Sequence, residues 1–328
     1  MSPVRSRRRV LQKFANVFSP KDRVLITIHA DPDSMASAMA LKRLLWRKAN
    51  SVTITHFNEI NRFDNLTMIK LLKIPLVKLN EVDGSMFSKT VIVDGQPHHN
   101  EAFADFNYDV VIDHHPLTTP LNVPFLDIRP EYGATATIMT EYLLAANIRP
   151  SKNLATALLY AIRVDTSNFE SGVIEEDMKA FRYLFPHANM NLLRKIEISD
   201  IGTEDLKYFR HALENKQIIK GKIFSHLGGV HSPDVLVIVA DFFMRCHEIS
   251  WVVVSGVYKH SLVIIIRNDG FRKDAGSWAS EAFGRFGSAG GRRAKARAEI
   301  PLSNLDEYLK SDDADDLNRF VVRRFQSM

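Results

Sequence analysis

The first half of this 328-residue chain alternates short apolar runs with helix-forming segments. Four runs have the composition of strands: RVLITI (23–28), SVTITHF (51–57), KTVIVD (89–94) and YDVVID (108–113). Strands that are apolar along nearly their whole length are typical of a parallel sheet covered by helices on both faces. Helix formers occupy the segments 34–48, 65–73, 133–146 and 152–163. The alternation predicts an α/β fold with a doubly wound, mostly parallel sheet.

The second half has a different pattern. Residues 175–219 are polar and helical in character, and the strand candidates that follow are GKIFSHL, DVLVIVA, EISWVVVSGVY and SLVIIIR. A helix is expected near 276–284, then a glycine-rich turn, GSAGGRR, and SDDADDLNRF reads as an acidic turn into a final helix or tail. We predict three segments: a domain at 1–186 that contains the parallel sheet, a helical connector at 187–205 and a smaller α/β domain at 206–328.

Composition narrows the class of protein. Hydrophobic residues make up 45% and charged residues 25%, as in globular proteins, and the formal net charge is +5. No apolar run approaches the roughly 20 residues that span a bilayer, and the basic N-terminus lacks the apolar stretch of a secretory signal. The single cysteine, Cys246, excludes an internal disulfide framework and a multi-cysteine metal site. We therefore expect a cytoplasmic protein without a membrane partner, and a homodimer is compatible with the sequence.

Basic residues are unevenly distributed. Arg5, Arg7, Arg8 and Arg9 crowd the N-terminus, where we interpret them as a solvated, disordered arm. A second basic segment, 285–297, lies beside glycines, which favours anion binding there.

Acidic and imidazole side chains follow the predicted strands where each strand ends. They are His29, Asp31, Asp33, Asp94, Asp113, His114 and His115. Because the carboxyl ends of parallel strands line one crevice, we expect these groups to converge. Carboxylates so close together repel one another unless cations neutralise them. Oxygen and imidazole ligands without thiolates indicate manganese, magnesium, cobalt or zinc, and the imidazoles favour manganese over magnesium.

Each of these residues taken alone has a structural alternative. Asp31 and Asp33 are favoured N-cap types before the helix at 34, and a lone histidine such as His29 is more often a hydrogen-bonded structural residue. Asp94 before Gly95 is compatible with turn chemistry. Three polar residues that close a buried strand, as in VIDHHP, have no packing purpose, so this motif favours a functional site most.

The motifs resemble those of the DHH phosphoesterases. VIDHHP contains the Asp-His-His signature, Asp31-Pro32-Asp33 resembles the first motif, Asp94 the second, and Asp165 in YAIRVDTSNF the fourth. SLVIIIRNDG and GSAGGRRAKARAEIPL resemble the DHH-associated domain, which is marked by a Gly-Gly-His turn. The resemblance covers roughly residues 20–302.

The resemblance implies two divalent metal ions, most simply manganese. His29, Asp31 and Asp94 would hold the first ion, and Asp33, Asp94, His114 and Asp165 the second, with Asp94 bridging. His115 would face the substrate and Asp113 would orient the histidines. The implied phosphate contacts in the second domain are Arg267, Gly290, Gly291 and Arg292. Two positions depart from the family pattern: Thr27 stands where many relatives have the first histidine, and Arg292 replaces the histidine after Gly-Gly.

The implied activity is that of a manganese-dependent phosphodiesterase or phosphatase. Its substrates would be short oligonucleotides or small nucleotides, as in the nanoRNase and phosphoadenosine-phosphate phosphatase members, which would make it an oligoribonuclease. One alternative is a phosphoanhydride hydrolase acting on pyrophosphate or polyphosphate. Another is a nucleotide-binding regulatory protein with impaired catalysis.

Overall fold

The computed structural model describes residues 3–170, 172–271, 273–309 and 313–327. The chain divides into two compact units, Met1–Ser199 and Asp200–Met328. The predicted domain limits, 1–186, 187–205 and 206–328, remain predictions. Helix α8 lies within the predicted connector, and its Leu193 and Ile196 are buried in the core of the first unit.

The first unit is built on a six-stranded sheet in which every neighbouring pair is parallel. The strands are β1 Arg23–Ile28, β2 Ser51–His56, β3 Leu76–Lys78, β4 Lys89–Val93, β5 Val110–Asp113 and β6 Phe125–Ile128. Their spatial order is β3-β2-β1-β4-β5-β6. This is the predicted doubly wound α/β fold. The direction of winding reverses between β1 and β4, which opens a crevice at their carboxyl ends.

Eight helices accompany this sheet in the described residues. They are α1 Pro3–Ala15, α2 Pro32–Leu44, α3 Phe63–Leu72, α4 Glu101–Ala104, α5 Thr135–Ala145, α6 Lys152–Asp165, α7 Glu175–Leu184 and α8 Met190–Glu197. The most buried, α2, α5 and α6, pack against one another over the sheet. Helix α2 begins two residues before the predicted start at 34, because Asp31 caps it and Pro32 occupies its first turn.

The N-terminal basic segment is a helix, so the predicted disordered arm is wrong. Phe14 in α1 is fully buried, and its ring centroid lies 5.6 Å from that of Phe125. Arg7 forms an ion pair with Glu141 of α5 at 2.5 Å. The apolar residues Val10, Leu11 and Phe14 recur at helical spacing, and this pattern carries more information than the local charge.

The second unit contains a mixed six-stranded sheet in the order β11-β12-β10-β9-β8-β7. Its strands are β7 Gln217–Ile219, β8 Lys222–Gly229, β9 Trp251–Tyr258, β10 Ser261–Asn268, β11 Ser288–Arg292 and β12 Lys295–Pro301. Strands β8 and β9 are parallel and the other pairs are antiparallel. The helices are α9 Leu206–Asn215, α10 Asp234–Phe243, α11 Ala275–Phe283 and α12 Ala314–Gln326.

Two predictions for the second unit are wrong. DVLVIVA is part of helix α10, because Leu236, Val239, Ala240 and Phe243 recur at helical spacing and face the core together. Most of GSAGGRR forms the edge strand β11, and the turn follows that strand, at Arg293 and Ala294. Among the described residues, no helix is long and apolar enough to cross a membrane.

Candidate metal centre

The crevice between β1 and β4 collects the acidic residues that the sequence places at strand ends. Asp31 and Asp33 follow β1, Asp94 follows β4, and Asp113 ends β5. Asp165 reaches the same region from the last turn of α6. Ligand atoms of Asp33, His114 and Asp165 lie within 4.8 Å of one another. Residues that are far apart in sequence therefore meet in one small volume.

The orientation of His114 is the most informative contact in this group. Its Nδ1 lies 3.0 Å from the carbonyl oxygen of Tyr132, which can only accept a hydrogen bond, so Nδ1 carries the proton. The other ring nitrogen, Nε2, is buried and has no hydrogen-bond partner among the described residues. It lies 3.4 Å from a carboxylate oxygen of Asp165 and 3.8 Å from one of Asp94.

The amino-terminal turn of α5 holds two of the carboxylates. The backbone N–H groups of Thr135 and Ala136 donate to the two oxygens of Asp33 at 2.6 and 2.7 Å. The hydroxyl of Thr135 donates to Asp94 at 2.8 Å. Asp33 is fully buried and Asp94 is 8% exposed. A helix amino terminus stabilises negative charge, so α5 partly offsets the repulsion between these acids.

The backbone around the site includes left-handed residues. Asp94 has φ +59°, and three consecutive residues after α6, Ser167, Asn168 and Phe169, have φ between +49° and +66°. Such conformations are unfavourable for most L-residues and concentrate at functional sites. They turn the chain sharply at the two points where Asp94 and Asp165 enter the crevice.

Burial and mutual repulsion govern the protonation of the cluster. Burial, reinforced by Asp165, raises the pKa of Asp33 to about 7. Burial and the neighbouring carboxylates, Asp33 first among them, hold the pKa of Asp94 well above its ordinary value. For His114, burial lowers the pKa, but the carboxylates of Asp165 and Asp33 outweigh this effect and raise it to about 9. Without a metal, the cluster therefore retains protons near neutral pH.

Asp31 caps α2 as predicted and interacts electrostatically with the acidic cluster, and its role as a metal ligand remains a prediction. It caps α2, since its Oδ1 accepts the backbone N–H of Ser34 at 2.9 Å. Its pKa is raised, first by burial and then by Asp165, so it also belongs electrostatically to the cluster. His29 is exposed, and its ring packs edge-on against Phe57 at 5.4 Å. Among the described residues, His29 is not in any group of three potential ligands with atoms within 4.8 Å.

Asp113 and His115 form a hydrogen-bonded pair that adjoins the cluster, since ligand atoms of His115, His114 and Asp94 lie within 4.8 Å of one another. His115 Nδ1 lies 2.8 Å from Asp113 Oδ1, and that same oxygen accepts the backbone N–H of His114 at 2.8 Å. Gln96 donates to the other oxygen of Asp113 at 2.8 Å. These bonds, the His115 contact first, outweigh burial and lower the pKa of Asp113. The carboxylate fixes the His115 ring, whose side chain is 45% exposed.

The residues present fit a divalent cation. A buried nitrogen lone pair that faces two carboxylates is unfavourable unless a proton or a cation lies between them. The donor set is imidazole and carboxylate oxygen, which suits manganese and related hard or borderline ions. A histidine that binds a metal through one ring nitrogen usually donates the N–H of the other to a carbonyl or carboxylate oxygen. His114 Nδ1 makes this hydrogen bond to the Tyr132 carbonyl oxygen.

The comparison with known families agrees with this geometry. Residues 23–162 match the model described as the DHH family, N-terminal domain. This match assigns the segment 23–162 to the DHH family. The matched segment, here called the DHH domain, runs from β1 into α6 and contains every predicted ligand except Asp165, which lies just beyond it.

Similar proteins cover different shares of the chain. An uncharacterized protein of Methanocaldococcus jannaschii is 35% identical over 280 residues, which are 85% of this chain and 58% of that protein. The chain thus spans little more than half of that relative's length. An exopolyphosphatase-related protein from Bacteroides fragilis has the same fold, with a TM-score of 0.73 and 14% identity over 97% of this chain and 96% of that one. Exonuclease RecJ bound to manganese has a TM-score of 0.49 and 13% identity over 100% and 94%.

The substrate contacts predicted outside the DHH domain lie in the second unit. Arg267 Nε donates to Asp241 at 2.6 Å, so a ligand would compete with that carboxylate. Gly290 and Gly291 lie in the edge strand β11 and Arg292, at its end, is exposed. A Cβ on Gly276 in α11 would stand 2.4 Å from the Gly291 carbonyl oxygen. The close approach of helix and strand is thus a packing reason for small residues here.

Several residues that shape the DHH site were missed from the sequence. Tyr132 and Thr135 support His114 and Asp94, as described above. Asn58 bonds both backbone groups of Ala30, with its Oδ1 2.7 Å from the N–H and its Nδ2 3.1 Å from the carbonyl. Gln96 was also unrecognised. The available signal was position, since Asn58 and Gln96 follow strand ends just as the predicted ligands do.

Proposed function

We propose that the DHH domain binds two divalent metal ions, manganese by preference, and hydrolyses phosphate esters. The proposed ligands are His29, Asp31, Asp33, Asp94, His114 and Asp165. The observation that carries the proposal is the position of the buried Nε2 of His114, which lies 3.8 Å from Asp94 and 3.4 Å from Asp165 and has no hydrogen-bond partner among the described residues. Bound metal ions would lower the pKa of a water and neutralise charge on phosphoryl oxygens.

The chain's own groups supply orientation and proton control. Tyr132 keeps the His114 proton on Nδ1, and α5 holds Asp33 and Asp94 in place. Asp113 keeps the Nδ1 of His115 occupied, so the Nε2 of His115 is free to meet a substrate phosphate or its leaving oxygen. Asp113 is thereby a positioning residue for the proposed catalytic group His115.

The proposed substrates are short oligoribonucleotides, adenosine bisphosphate or linear dinucleotides. This choice rests on the resemblance of the second unit to the DHH-associated domain of the smaller nucleotide-degrading members. We retain Arg292, with Gly290 and Gly291, as the proposed phosphate contact of that unit because Arg292 is exposed and a guanidinium can bind phosphate in bidentate fashion. Arg267 is a weaker candidate, since Asp241 already binds it.

The test is a substrate and metal panel with a matched pair of variants. Phosphate release or strand shortening is measured for di- to pentanucleotides, adenosine bisphosphate, pyrophosphate and polyphosphate, each with manganese, magnesium or cobalt. Asp94→Asn should abolish turnover and bound metal together. Asp22→Asn should leave turnover and bound metal unchanged, because Asp22 precedes β1 at the amino ends of the parallel strands.

The panel also decides between the proposed activity and its alternatives. Faster release from pyrophosphate or polyphosphate than from any nucleotide would replace the phosphoesterase proposal by a phosphoanhydride hydrolase. Bound metal without turnover on any substrate would favour a regulatory nucleotide-binding role. Normal turnover in Asp94→Asn would refute the assignment of the centre itself.

A further inference from the structure

An exposed aromatic ring lies beyond the carboxyl end of α2, far from the metal centre. Trp46 is 59% exposed, although an indole ring is usually buried. The guanidinium carbons of Arg43 and Arg47 lie 4.9 and 4.5 Å from the centre of its ring. Helix α2 begins at the metal centre and its 13 residues span about 20 Å, so Trp46 is about that distance from the acids.

Trp46 borders a cavity of about 440 Å³ within the first unit. We call this cavity the Trp46 cleft. It is lined by Met39, Lys42, Arg43, Trp46, Pro75, Ser151 and Leu154. The lining combines an apolar floor with two cations and contains no acidic side chain. A ligand that combines a flat, weakly polar ring with an adjacent negatively charged group would match this lining.

The rim of the Trp46 cleft is uniformly basic. The cations on or next to its lining segments are Lys42, Arg43, Arg47, Lys48, Lys73 and Lys152. Within the described parts of the chain, none of these six forms an ion pair with a carboxylate. Lys42 Nζ donates to the Val52 carbonyl oxygen at 2.9 Å, and the other five cations raise the local potential and attract a polyanion.

Two of these cations lie at positions with an unusual backbone conformation. Arg47 and Lys73 have φ +63° and +56°, in the left-handed region that favours glycine or asparagine. Lys73 ends α3 two residues before Pro75 of the lining. A long basic side chain at each of two turns that favour other residues is consistent with a requirement for charge at this rim.

We propose that the Trp46 cleft binds single-stranded nucleic acid: a base replaces Arg43 or Arg47 over the Trp46 ring, and the displaced arginine joins the rim that holds the phosphates. Basic grooves with an exposed aromatic ring bind single strands in this way, since every base offers a flat face and every linkage a charge. An acidic peptide would satisfy the cations but has no regular flat group for the ring. The site is separate from the proposed hydrolysis and does not depend on it.

The test measures binding of a fluorescein-labelled, hydrolysis-resistant 2′-O-methyl phosphorothioate decamer to the full chain by anisotropy. Trp46→Ala should weaken binding about tenfold, because one base loses its stacking partner. Trp46→Phe should restore most of the affinity. Arg43→Ala/Arg47→Ala should reduce the slope of log K against log salt by about 1.4, as expected for two lost phosphate contacts.

Controls separate the Trp46 cleft from other positive surfaces. Arg8→Ala/Arg9→Ala removes the same charge from exposed positions on α1 and should change affinity less than the cleft pair does. Asp22→Asn, which changes a carboxylate outside both sites, should bind the decamer as wild type does. Melting temperatures show that the Trp46 variants are folded.

Three results would overturn the proposal. The first is no saturable binding by the wild-type chain at moderate salt. The second is equal affinity of wild type and a folded Trp46→Ala. The third is equally strong competition by poly-glutamate, which would assign the cleft to an acidic peptide.

Discussion

Removing divalent metal from this protein should make the first unit less stable as the pH rises from 5 to 9. Asp33 has its pKa raised from 3.8 to about 7, and His114 has its pKa raised from 6.5 to about 9. Both groups hold protons in the folded state that the unfolded chain releases. Their contribution to stability is therefore complete below the unfolded pKa and is lost as the pH passes the folded pKa.

The size of the effect follows from Asp33, which is fully buried. Because pH 5 already lies above the unfolded pKa of 3.8, the loss between pH 5 and pH 8 spans about 2 pH units below the folded pKa of about 7, or on the order of 3 kcal/mol of unfolding free energy. For a unit of this size that is a fall of about 10 °C in the melting temperature. Bound cations reverse the loss: a metal at a hundred times its Kd adds about 2.7 kcal/mol.

The assay is thermal unfolding of the full chain after chelation, between pH 5 and 9, with and without added manganese. Manganese should raise the melting temperature much more at pH 8 than at pH 5. Asp94→Asn is the informative variant, because asparagine tolerates the left-handed φ of +59° and its amide oxygen can still accept from Thr135. Without metal it should melt above wild type at pH 8, and metal should not shift it.

Two outcomes would refute this reasoning. Metal-free stability that is constant or rises between pH 5 and 9 would mean that the acids are not crowded as described. A manganese response retained by Asp94→Asn would mean that the metal binds elsewhere. Asp22→Asn is the control, and its metal response should equal that of wild type.

Three further variants probe the supports of the site. Gly133→Ala should lower metal affinity at least tenfold by calorimetry, since its Cβ would stand 2.5 Å from Thr166 Cγ2, next to a proposed ligand; unchanged affinity would contradict this coupling. His115→Gln should lower kcat by about 10²–10⁴ with near-normal metal content by elemental analysis, and a large loss of metal would make His115 a ligand instead. Asn58→Ala should weaken metal binding, because the Ala30 backbone loses its two hydrogen bonds to the Asn58 side chain. An unaltered rate of hydrogen exchange at the Ala30 amide would exclude this role of Asn58.

Strands β1, β2, β4 and β5 were predicted correctly because parallel strands buried on both faces are apolar along their whole length. Helix α10 was missed because a short, wholly apolar segment does not reveal its period by composition alone. The three-residue strand β3 and the amphipathic helix α1 have weak local signals. Their stability comes from tertiary packing, such as the burial of Phe14 against Phe125.

The sequence by itself determined which side chains stand at the carboxyl ends of the strands, since a parallel sheet delivers every strand end to one edge. It thereby predicted the convergence of Asp31, Asp94 and His114. Only the tertiary structure decided how those groups are held: Tyr132 sets the proton position on His114, and the amino terminus of α5 carries Asp33. Hydrogen bonds between residues about a hundred positions apart, such as Thr135 with Asp33, depend on chain crossings that no local pattern encodes.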